Sequence, residues 1–412
     1  MKILLLGINY SPEIISTAVY SSTLADNMAE KGVTTSVVTA LPYYPAWRVF
    51  EGWRGIFWRR EVSDAGVRII HAPLYVPYNP TGMRRILHHA SFAVTALPCV
   101  MWIALKQRPD IVFVVAPSMM SAPVGWLGAK LAGAKCWLHI QDFEVEAAFA
   151  TGLLVADSRV GRAAKLFERW VLRRFDMVSS ISTSMLASLV EKEVPAERIY
   201  ELRNWANLEK ITPVSGWSPL ADTLGISTPH VALYSGNLAN KQGIEIIPEM
   251  ARLLADRKDL TFVVCGDGPM RAQLAELSAE LPNIVMLPLQ PLDQLSDLLG
   301  LATVHLLPQI AGAADLVLPS KLANMLASGR PVLATADLGT ALAHEVNGAG
   351  IVVPPGDAKA AADALVALLD DPEKRATLGQ AARERALARW DMDSILSRLF
   401  AAFKALSTSV KR

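Results

Sequence analysis

The segment from Phe262 to Pro269 constrains the fold of this chain more than any other. Four apolar residues, 262–265, run directly into Gly-Asp-Gly-Pro, and a helical pattern starts at residue 270. A buried parallel strand that turns at a glycine pair and enters a helix places backbone N–H groups at the carboxyl edge of its sheet. Open α/β sheets bind ligands at that edge, and the start of a helix favours phosphate. Many α/β proteins carry such a turn without a ligand, so its meaning depends on the rest of the chain.

Length and charge bound the class of protein. The chain has 412 residues, enough for two domains of ordinary size, and 52% of them are apolar. The formal net charge is +1, which argues against a dedicated nucleic-acid-binding protein. The three cysteines lack the spacing of metal ligands, and the apolar run at the N-terminus is too short for a signal peptide. We therefore predict a cytoplasmic protein with no nucleic-acid partner.

Apolar strands alternate with helical segments in both halves of the chain. In the first half, strands are predicted at 3–7, 35–40, 67–74, 110–117, 135–142 and 176–182. In the second half, they are predicted at 230–236, 260–266, 284–288, 303–308, 331–335 and 350–355. Continuous apolar strands indicate parallel sheets covered on both faces. The proline-rich segment 204–229 is interpreted as a linker, so we predict two doubly wound α/β domains over 1–208 and 209–390.

One apolar segment of the first half has two interpretations. Residues 90–105 carry no charge, contain Pro98 and follow a short basic stretch, 84–89. A membrane-spanning helix needs about 20 residues, so we expect that this segment does not cross a bilayer. Residues 84–106 could lie in the headgroup region of a membrane, or the helix could be buried against the sheet. The sequence leaves both alternatives open.

Chemically useful residues follow several predicted strands of the second half. In chain order they are Gly236 and Asn237 with the following Lys241; Gly266, Asp267 and Gly268; Asp315 with Pro319, Ser320, Lys321 and Asn324; and the turn 347–357. The carboxyl ends of parallel strands meet at one edge of a sheet. These residues could therefore line a single site.

The motifs resemble the retaining GT-B glycosyltransferases of the family called glycosyl transferases group one. The likeness covers the whole chain, from GINYSPE at the N-terminus through GDGPMRAQL to the turn NGAGIVVPPGD. Within that family, the chain is similar to colanic-acid-type fucosyltransferases of bacterial exopolysaccharide assembly. This narrower likeness rests on YSPE (10–13), PYYPAW (42–47), LHIQDFEVEA (138–147) and GAADLVLPSKLANMLASG (312–329). It implies two Rossmann-like domains that face a cleft, with the last helix, 391–412, returning to the first domain.

The resemblance also implies a reaction. A sugar would move from a GDP- or UDP-sugar, with GDP-fucose favoured, to a lipid-diphosphate-linked oligosaccharide with retention of configuration. A departing diphosphate needs cations and N–H donors near its β-phosphate. Lys241 and the start of helix 322–329 could supply them, with Lys321 assisting. The DxD motif at 391–393 is expected to open the last helix, so we predict no essential metal and no cofactor besides the donor.

Several positions of the second half depart from the family pattern. The family has two glutamates eight positions apart. Here Asn324 takes the second place, and Asp315, one residue out of register, is the expected substitute for the first. Asn237 stands where many members have arginine and Gln242 where they have lysine, which leaves Lys241 shifted by one. The resemblance therefore implies a donor site with fewer cations than usual.

The first half departs from the family pattern at one strand end. The family has a histidine, commonly followed by aspartate, facing the transferred sugar. Alignment on Asp142 puts Gln141 at the place of the histidine, and His139 lies two residues earlier on the same strand face. We expect His139 or Asp142 to contact the sugar, and the alternative for His139 is a core histidine. Gly7, at the end of the first strand, is expected to let the backbone approach the donor.

The aromatic residues Tyr43, Tyr44 and Trp47 are candidates for the acceptor side. They could contact a lipid or sugar, or they could form a packed turn stiffened by proline. Taken together, the sequence predicts a glycosyltransferase in the cytoplasm, peripheral on the inner face of the cytoplasmic membrane.

Two other functions are considered. A sugar-nucleotide epimerase of the same architecture would need acid–base residues that are scarce in the second half. A non-catalytic assembly partner with a vestigial donor site would be consistent with Asn237 and Asn324.

Overall fold

The computed structural model describes residues 1–14, 16–55, 57–150, 158–214, 216, 218–239, 242–311 and 318–408. It divides the chain into two compact units. The first unit comprises Met1–Arg203 together with the chain from Leu396 onward, and the second comprises Asn204–Ile395. Two predicted site residues, Lys241 and Asp315, lie outside the described residues.

The first unit is built on a mainly parallel sheet. Among the described residues its strand order is β3-β4-β2-β1-β5-β6-β7-β8, and only the pair β3–β4 is antiparallel. The strands are β1 (Lys2–Gly7), β2 (Thr34–Ala40), β3 (Arg59–Val62), β4 (Arg68–Ala72), β5 (Ile111–Ala116), β6 (Lys135–Ile140), β7 (Met177–Ser180) and β8 (Ile199–Glu201). The helices are α1 (Ser16–Glu30), α2 (Gly82–Gln107), α3 (Ala122–Ala132), α4 (Glu144–Ala150), α5 (Arg159–Leu172) and α6 (Thr183–Glu191).

The second unit repeats this plan with a smaller sheet. Its described strands lie in the order β11-β10-β9-β12-β13-β14 and are all parallel. They are β9 (His230–Asn237), β10 (Leu260–Asp267), β11 (Ile284–Leu287), β12 (Val304–Leu307), β13 (Val332–Thr335) and β14 (Gly350–Val353). The helices are α7 (Pro219–Thr223), α8 (Ile246–Leu253), α9 (Arg271–Ser278), α10 (Leu295–Gly300), α11 (Lys321–Ala327), α12 (Ala341–Val346), α13 (Ala358–Leu369) and α14 (Pro372–Arg389). A last helix, α15 (Met392–Thr408), runs from this unit into the first.

All twelve strands predicted from apolar runs are confirmed, with ends shifted by a few residues. The structure adds β3 and β8, which the sequence analysis missed. Both are short and sit at the edges of the first sheet, and β3 is the polar, exposed sequence RREV. An internal parallel strand is buried on both faces and therefore appears as a continuous apolar run. A strand at the edge of a sheet can be exposed, so it lacks this signal.

The glycine pair at the end of β10 is required by strand packing. Gly266 lies opposite Gly236 in the β9–β10 register, and a Cβ at position 266 would sit 2.0 Å from the Gly236 carbonyl oxygen. Gly268 has a φ of +149°, and a Cβ there would lie 2.5 Å from the carbonyl oxygen of Leu238. Only glycine fits such approaches, so the two strand ends meet backbone to backbone at the carboxyl edge.

The segment interpreted as a linker is partly core. Ala206, Leu208 and Ile211 are buried in one apolar cluster of the second unit, together with residues of α11 and α14. Ala206 also pairs with Asp391 through an isolated β-bridge. The prolines and polar residues of this stretch therefore mark an irregular but packed segment, because burial of single side chains does not need a regular strand.

The last helix begins as predicted at the DxD motif. The Asp391 carboxylate accepts a hydrogen bond from the backbone N–H of Ser394 at 2.9 Å, the geometry of an N-terminal cap. Further along α15, Phe403 is fully buried in the first unit, with ring centroids 5.5 Å from Phe113 and 5.1 Å from Trp137. The carboxylate of Asp391 thus has a structural role at the start of the helix.

Helix α2 is longer than the uncharged segment 90–105 on which the sequence-based expectation rests. It continues through Pro98 for 26 residues, and within the described residues it is the one helix long and apolar enough to cross a membrane. Its buried face, which includes Phe92, Ala96 and Val100, packs in the first unit. The other face is exposed and apolar, with Val94 at 70% and Leu105 at 58% exposure. The helix is therefore buried along one face, and contact of its exposed apolar face with a membrane stays a prediction.

Candidate functional site

The carboxyl edge of the second sheet holds a half-buried lysine. Lys321 is the first residue of α11, and its ammonium group points back toward the end of β9. The Nζ atom donates hydrogen bonds to the Tyr234 hydroxyl at 2.7 Å and to the Gln242 side-chain oxygen at 2.8 Å. It also lies 4.0 Å from the centroid of the Tyr234 ring. A cation is thus fixed at the strand edge by two oxygen acceptors and an aromatic face.

Tyr234 organises this cluster from inside β9. The side chain is fully buried, and its hydroxyl lies 2.7 Å from the carbonyl oxygen of Asn237 and also contacts the side-chain oxygen of Gln242. A single hydroxyl therefore connects the turn after β9 to the ammonium group of Lys321. The sequence indicates the glycine at the end of β9 as a candidate, but Tyr234 lies within the apolar run of the strand and has no signal of its own.

Burial changes the acid–base behaviour of Lys321. Loss of hydration disfavours the charged ammonium and lowers the pKa of Lys321 to about 7. Near neutral pH the side chain therefore exchanges between the neutral and charged forms. An anion placed beside Nζ would favour the charged form and raise this pKa again.

The other predicted donor residues of the second unit fall in two groups. Gly236, with a φ of +139°, would place a Cβ 3.6 Å from the Nζ atom of Lys321, so it leaves open the space beside the ammonium. Asn237 and Asp267 are exposed at the ends of their strands, and the Asp267 carboxylate accepts the N–H of Gly268 at 2.8 Å. These residues share the carboxyl edge with Lys321, and their contact with a donor stays a prediction.

The segment before and within α11 contributes the second group. Pro319, Ser320 and Asn324 are half-buried, and the Ser320 side chain makes no capping hydrogen bond to α11. Asn324 lies three residues after Lys321, so both project from neighbouring positions of one helix. Their predicted contacts with the donor also stay predictions.

In the first unit, His139 is held as a core residue. Its ring is 4% exposed, with Nδ1 3.0 Å from the Ser179 hydroxyl and Nε2 2.9 Å from the Gln141 side-chain nitrogen. Since the Gln141 amide donates to Nε2, Nδ1 carries the proton and donates to Ser179. Burial lowers the pKa of His139 to about 3, so the ring is neutral. Both nitrogens are occupied, which favours the core alternative for His139 and a positioning role toward Gln141.

Gly7 ends β1 and Asp142 follows β6, with β5 between these two strands of the first sheet. Asp142 is half-buried directly after β6, and its predicted contact with the sugar is untested. A Cβ at Gly7 would lie 3.3 Å from the Cβ of Val115 on β5. Close approach of β1 and β5 therefore explains this glycine, and its predicted role beside a donor is likewise untested.

Glu13 anchors the aromatic loop that was predicted to meet the acceptor. One carboxylate oxygen accepts the backbone N–H groups of Tyr43 and Tyr44 at 2.8 and 2.9 Å, and the other accepts the Asn9 side chain at 2.8 Å. Burial raises the pKa of Glu13, and these three donors oppose that rise. The YSPE and PYYPAW motifs are thus one structural unit, which the sequence analysis did not connect.

The three aromatic residues differ in exposure. The Tyr43 ring is 3% exposed and packs 4.6 Å from His88, centroid to centroid, so this residue belongs to the packed turn. Tyr44 and Trp47 are half-buried and keep accessible surface. The contact predicted with the acceptor stays a prediction for all three, and Tyr44 and Trp47 are the ones with surface to make it.

Glu144 fixes a second turn at the same edge of the first sheet. Its carboxylate accepts the backbone N–H groups of Ser118 and Met119 at 2.5 and 2.7 Å, directly after β5. His89 Nε2 lies 3.9 Å away. Ser118 has a φ of 89°, which is unusual for a residue with a side chain, and the two hydrogen bonds hold it there. Glu144, within the motif at 138–147, therefore shapes the end of β5.

Comparison with known families assigns the class of protein. Residues 17–205 match the family described as glycosyl transferase 4-like domain, and residues 221–385 match the glycosyl transferases group 1. The chain belongs to the group 1 glycosyl transferases and is a glycosyltransferase. The resemblance stated from the sequence motifs is confirmed.

Individual relatives and solved structures agree with this assignment. The chain is 39% identical to WcaI of Escherichia coli K12, assigned as a glycosyl transferase of colanic acid biosynthesis, over 83% of this chain and 85% of that protein. The fold matches sucrose-phosphate synthase of Thermosynechococcus elongatus with a TM-score of 0.78 at 18% identity, covering 99% and 100% of the two chains. It matches Anabaena HepE in complex with UDP-glucose with a TM-score of 0.69 at 16% identity, covering 98% and 100%. These matches confirm the predicted GT-B fold of two Rossmann-like domains.

The role of Tyr234 can be tested by removing one oxygen atom. Tyr234→Phe deletes one of the two oxygen acceptors of Lys321 and keeps the buried ring, so nucleoside diphosphate affinity should fall about threefold to tenfold. Titration calorimetry with GDP and UDP measures the change. Tyr10→Phe is the matched control, because the buried Tyr10 hydroxyl has no hydrogen-bond partner among the described residues. Equal loss in both variants, or no loss in Tyr234→Phe, would contradict this role.

Proposed function

We propose that this protein transfers a sugar, with retention of configuration and without an essential metal, from a nucleoside diphosphate donor to a lipid-diphosphate-linked oligosaccharide in bacterial exopolysaccharide synthesis. GDP-fucose is the proposed donor, on the strength of the likeness to colanic-acid-type enzymes. Membership of the group 1 glycosyl transferases supports sugar transfer as the reaction class. HepE, which shares the fold, was solved in complex with UDP-glucose, and this supports a nucleotide-sugar donor.

The observation that carries the proposal is the position of Lys321. This chain lacks two cations that the family pattern has, because Asn237 and Gln242 take the places of an arginine and a lysine. The Nζ atom of Lys321 lies 2.8 Å from the side-chain oxygen of Gln242. The ammonium group of a residue on α11 therefore lies beside the position where other family members have a lysine. We propose that Lys321 binds the diphosphate of the donor. Lys241 remains a second candidate, and it lies outside the described residues.

The proposed chemistry follows from that charge. The bond between the sugar C1 and the β-phosphate oxygen breaks, and its electrons stay on the diphosphate, which gains negative charge. The acceptor hydroxyl oxygen attacks C1 from the same face, and its proton passes to the departing phosphate oxygen. An ammonium beside that oxygen stabilises the charge as it develops and is therefore worth more in the transition state than in the bound donor.

Peripheral membrane contact through α2 is also proposed. The helix contains no Asp or Glu and exposes apolar side chains, including Val94, Trp102 and Leu105. Basic residues border this face: the Arg60 guanidinium lies 5.4 Å from the Trp102 ring centroid, and Arg85 near the start of α2 is exposed. An apolar surface with a cationic border favours an anionic bilayer, where a lipid-linked acceptor would reside.

A donor panel tests the reaction and the role of Lys321 together. GDP- and UDP-sugars are incubated with a prenyl-diphosphate-linked sugar, and products are followed by mass spectrometry, with the anomeric configuration read by NMR. We expect fucose transfer with retention that persists in EDTA. Lys321→Met should lower the rate by about a hundredfold, because it removes one charged donor to the leaving group.

Lys258→Met is the matched control, since this lysine of the same unit is exposed and donates only to the carbonyl of Ala255 among the described residues. Full activity of Lys321→Met would contradict the assigned role. Absence of binding to GDP and UDP would favour the vestigial alternative, and conversion of the nucleotide sugar without an acceptor would favour the epimerase.

Membrane contact is tested separately by vesicle flotation. The full chain should bind vesicles containing phosphatidylglycerol and not phosphatidylcholine alone. Val94→Glu with Leu105→Glu should abolish binding, because both charges enter the exposed face of α2. Leu338→Glu with Leu387→Glu, at exposed positions of the second unit, should bind like the wild type. Equal binding of the two double variants would contradict contact through α2.

A further inference from the structure

The second unit has a cavity at the edge of the sheet opposite to Lys321. It encloses about 340 Å³ and is lined by residues at the amino ends of β9, β12 and β13, together with the first turns of α7 and α14. His230, Thr303 and Arg330 come from these strand ends, and Arg375 comes from α14. Nothing in the proposed transfer reaction uses this edge.

Two arginines line the cavity, and neither has a carboxylate partner among the described residues. Arg330 donates through Nη2 to the carbonyl oxygens of Val214 and Gly300, at 3.0 and 3.4 Å. Arg375 donates through Nη1 to the carbonyl oxygens at the end of α13. Among the described residues neither guanidinium forms an ion pair. Burial lowers the pKa of Arg330, and the charge of Arg375 adds to that effect. Two positive charges therefore face one cavity without a described carboxylate paired to either.

Two buried polar atoms of the cavity residues lack hydrogen-bond partners. Among the described residues, Nε of Arg330 and Nδ1 of His230 are buried and make no hydrogen bond. Two carboxylates act on His230: its Nε2 lies 3.8 Å from Asp259, and Asp370 is also near. Both carboxylates are paired with Arg257 at 2.9 Å. Nε of Arg330 always carries a proton, whereas Nδ1 of His230 donates or accepts according to the tautomer. An unpaired buried donor is costly, and native structures satisfy most of them, so Nε of Arg330 beside this cavity points to a ligand that accepts hydrogen bonds.

We propose that this cavity binds the phosphoryl group of a small phosphorylated metabolite. Guanidinium groups match the oxygen atoms of phosphate in geometry and in charge. The volume exceeds that of a single phosphate ion and lies at the lower end of the range for small-molecule pockets, roughly 300–1,000 Å³, so the ligand is of the size of a sugar phosphate. The site is separate from the donor edge, because it lies at the opposite ends of the same parallel strands.

The test introduces a competing carboxylate without removing any contact. Ala376 lines the cavity and is exposed, whereas the next residue of α14, Thr377, is exposed and does not line it. Binding of inorganic phosphate, glucose 6-phosphate and glucose to the full chain is measured by titration calorimetry. Ala376→Glu should weaken glucose 6-phosphate binding by about tenfold or more through charge repulsion, and Thr377→Glu should not.

Further measurements distinguish this site from the donor edge and a phosphate ester from free phosphate as the ligand. Lys321→Met should bind glucose 6-phosphate like the wild type, and glucose should not bind. Tighter binding of glucose 6-phosphate than of inorganic phosphate supports a phosphate ester as the ligand. Equal affinity of Ala376→Glu and the wild type, loss of binding in Lys321→Met, or no heat with either phosphate probe would overturn the proposal.

Discussion

The proposed function depends on one half-buried lysine. Lys321 reaches the end of β9 from the start of α11, and the Tyr234 hydroxyl and Gln242 oxygen hold its Nζ at 2.7 and 2.8 Å. These acceptors are neutral, so they orient the cation without cancelling its charge. Group 1 relatives are expected to place an arginine and a lysine in the β9 turn. Here asparagine and glutamine occupy those places, and we propose that Lys321, from a neighbouring helix, supplies charge to the donor site.

The fold could be predicted from the sequence in large part. Internal parallel strands are buried on both faces, so their apolar runs are long and unambiguous, and every predicted strand is present. The edge strands β3 and β8 were missed, because an edge strand carries polar residues on its open side. The uncharged segment 90–105 accounts for only part of α2, Gly82–Gln107, because the basic stretch 84–89 also belongs to the helix. A proline is tolerated inside a helix when tertiary packing supports the helix on either side.

The site was predicted less completely, and the reason is physical. Strand-end glycines and polar residues are visible in a sequence because they interrupt apolar runs. Tyr234, Glu13 and Glu144 are not, because their importance comes from what they contact across the sheet: an ammonium group in one case and pairs of backbone N–H groups in the others. His139 shows the converse. Its place at a strand end makes it a candidate for contact with the sugar, whereas hydrogen bonds to both nitrogens favour the core alternative.

Proton uptake on nucleotide binding tests the central claim most directly. Burial lowers the pKa of Lys321 to about 7, and a bound diphosphate should raise it, so donor affinity should fall as pH rises above that value. Calorimetry in buffers of different ionisation enthalpy at about pH 8 should therefore find uptake of about one proton per nucleotide, which disappears in Lys321→Met. Binding without proton uptake in the wild type, or the same uptake in the variant, would contradict the account.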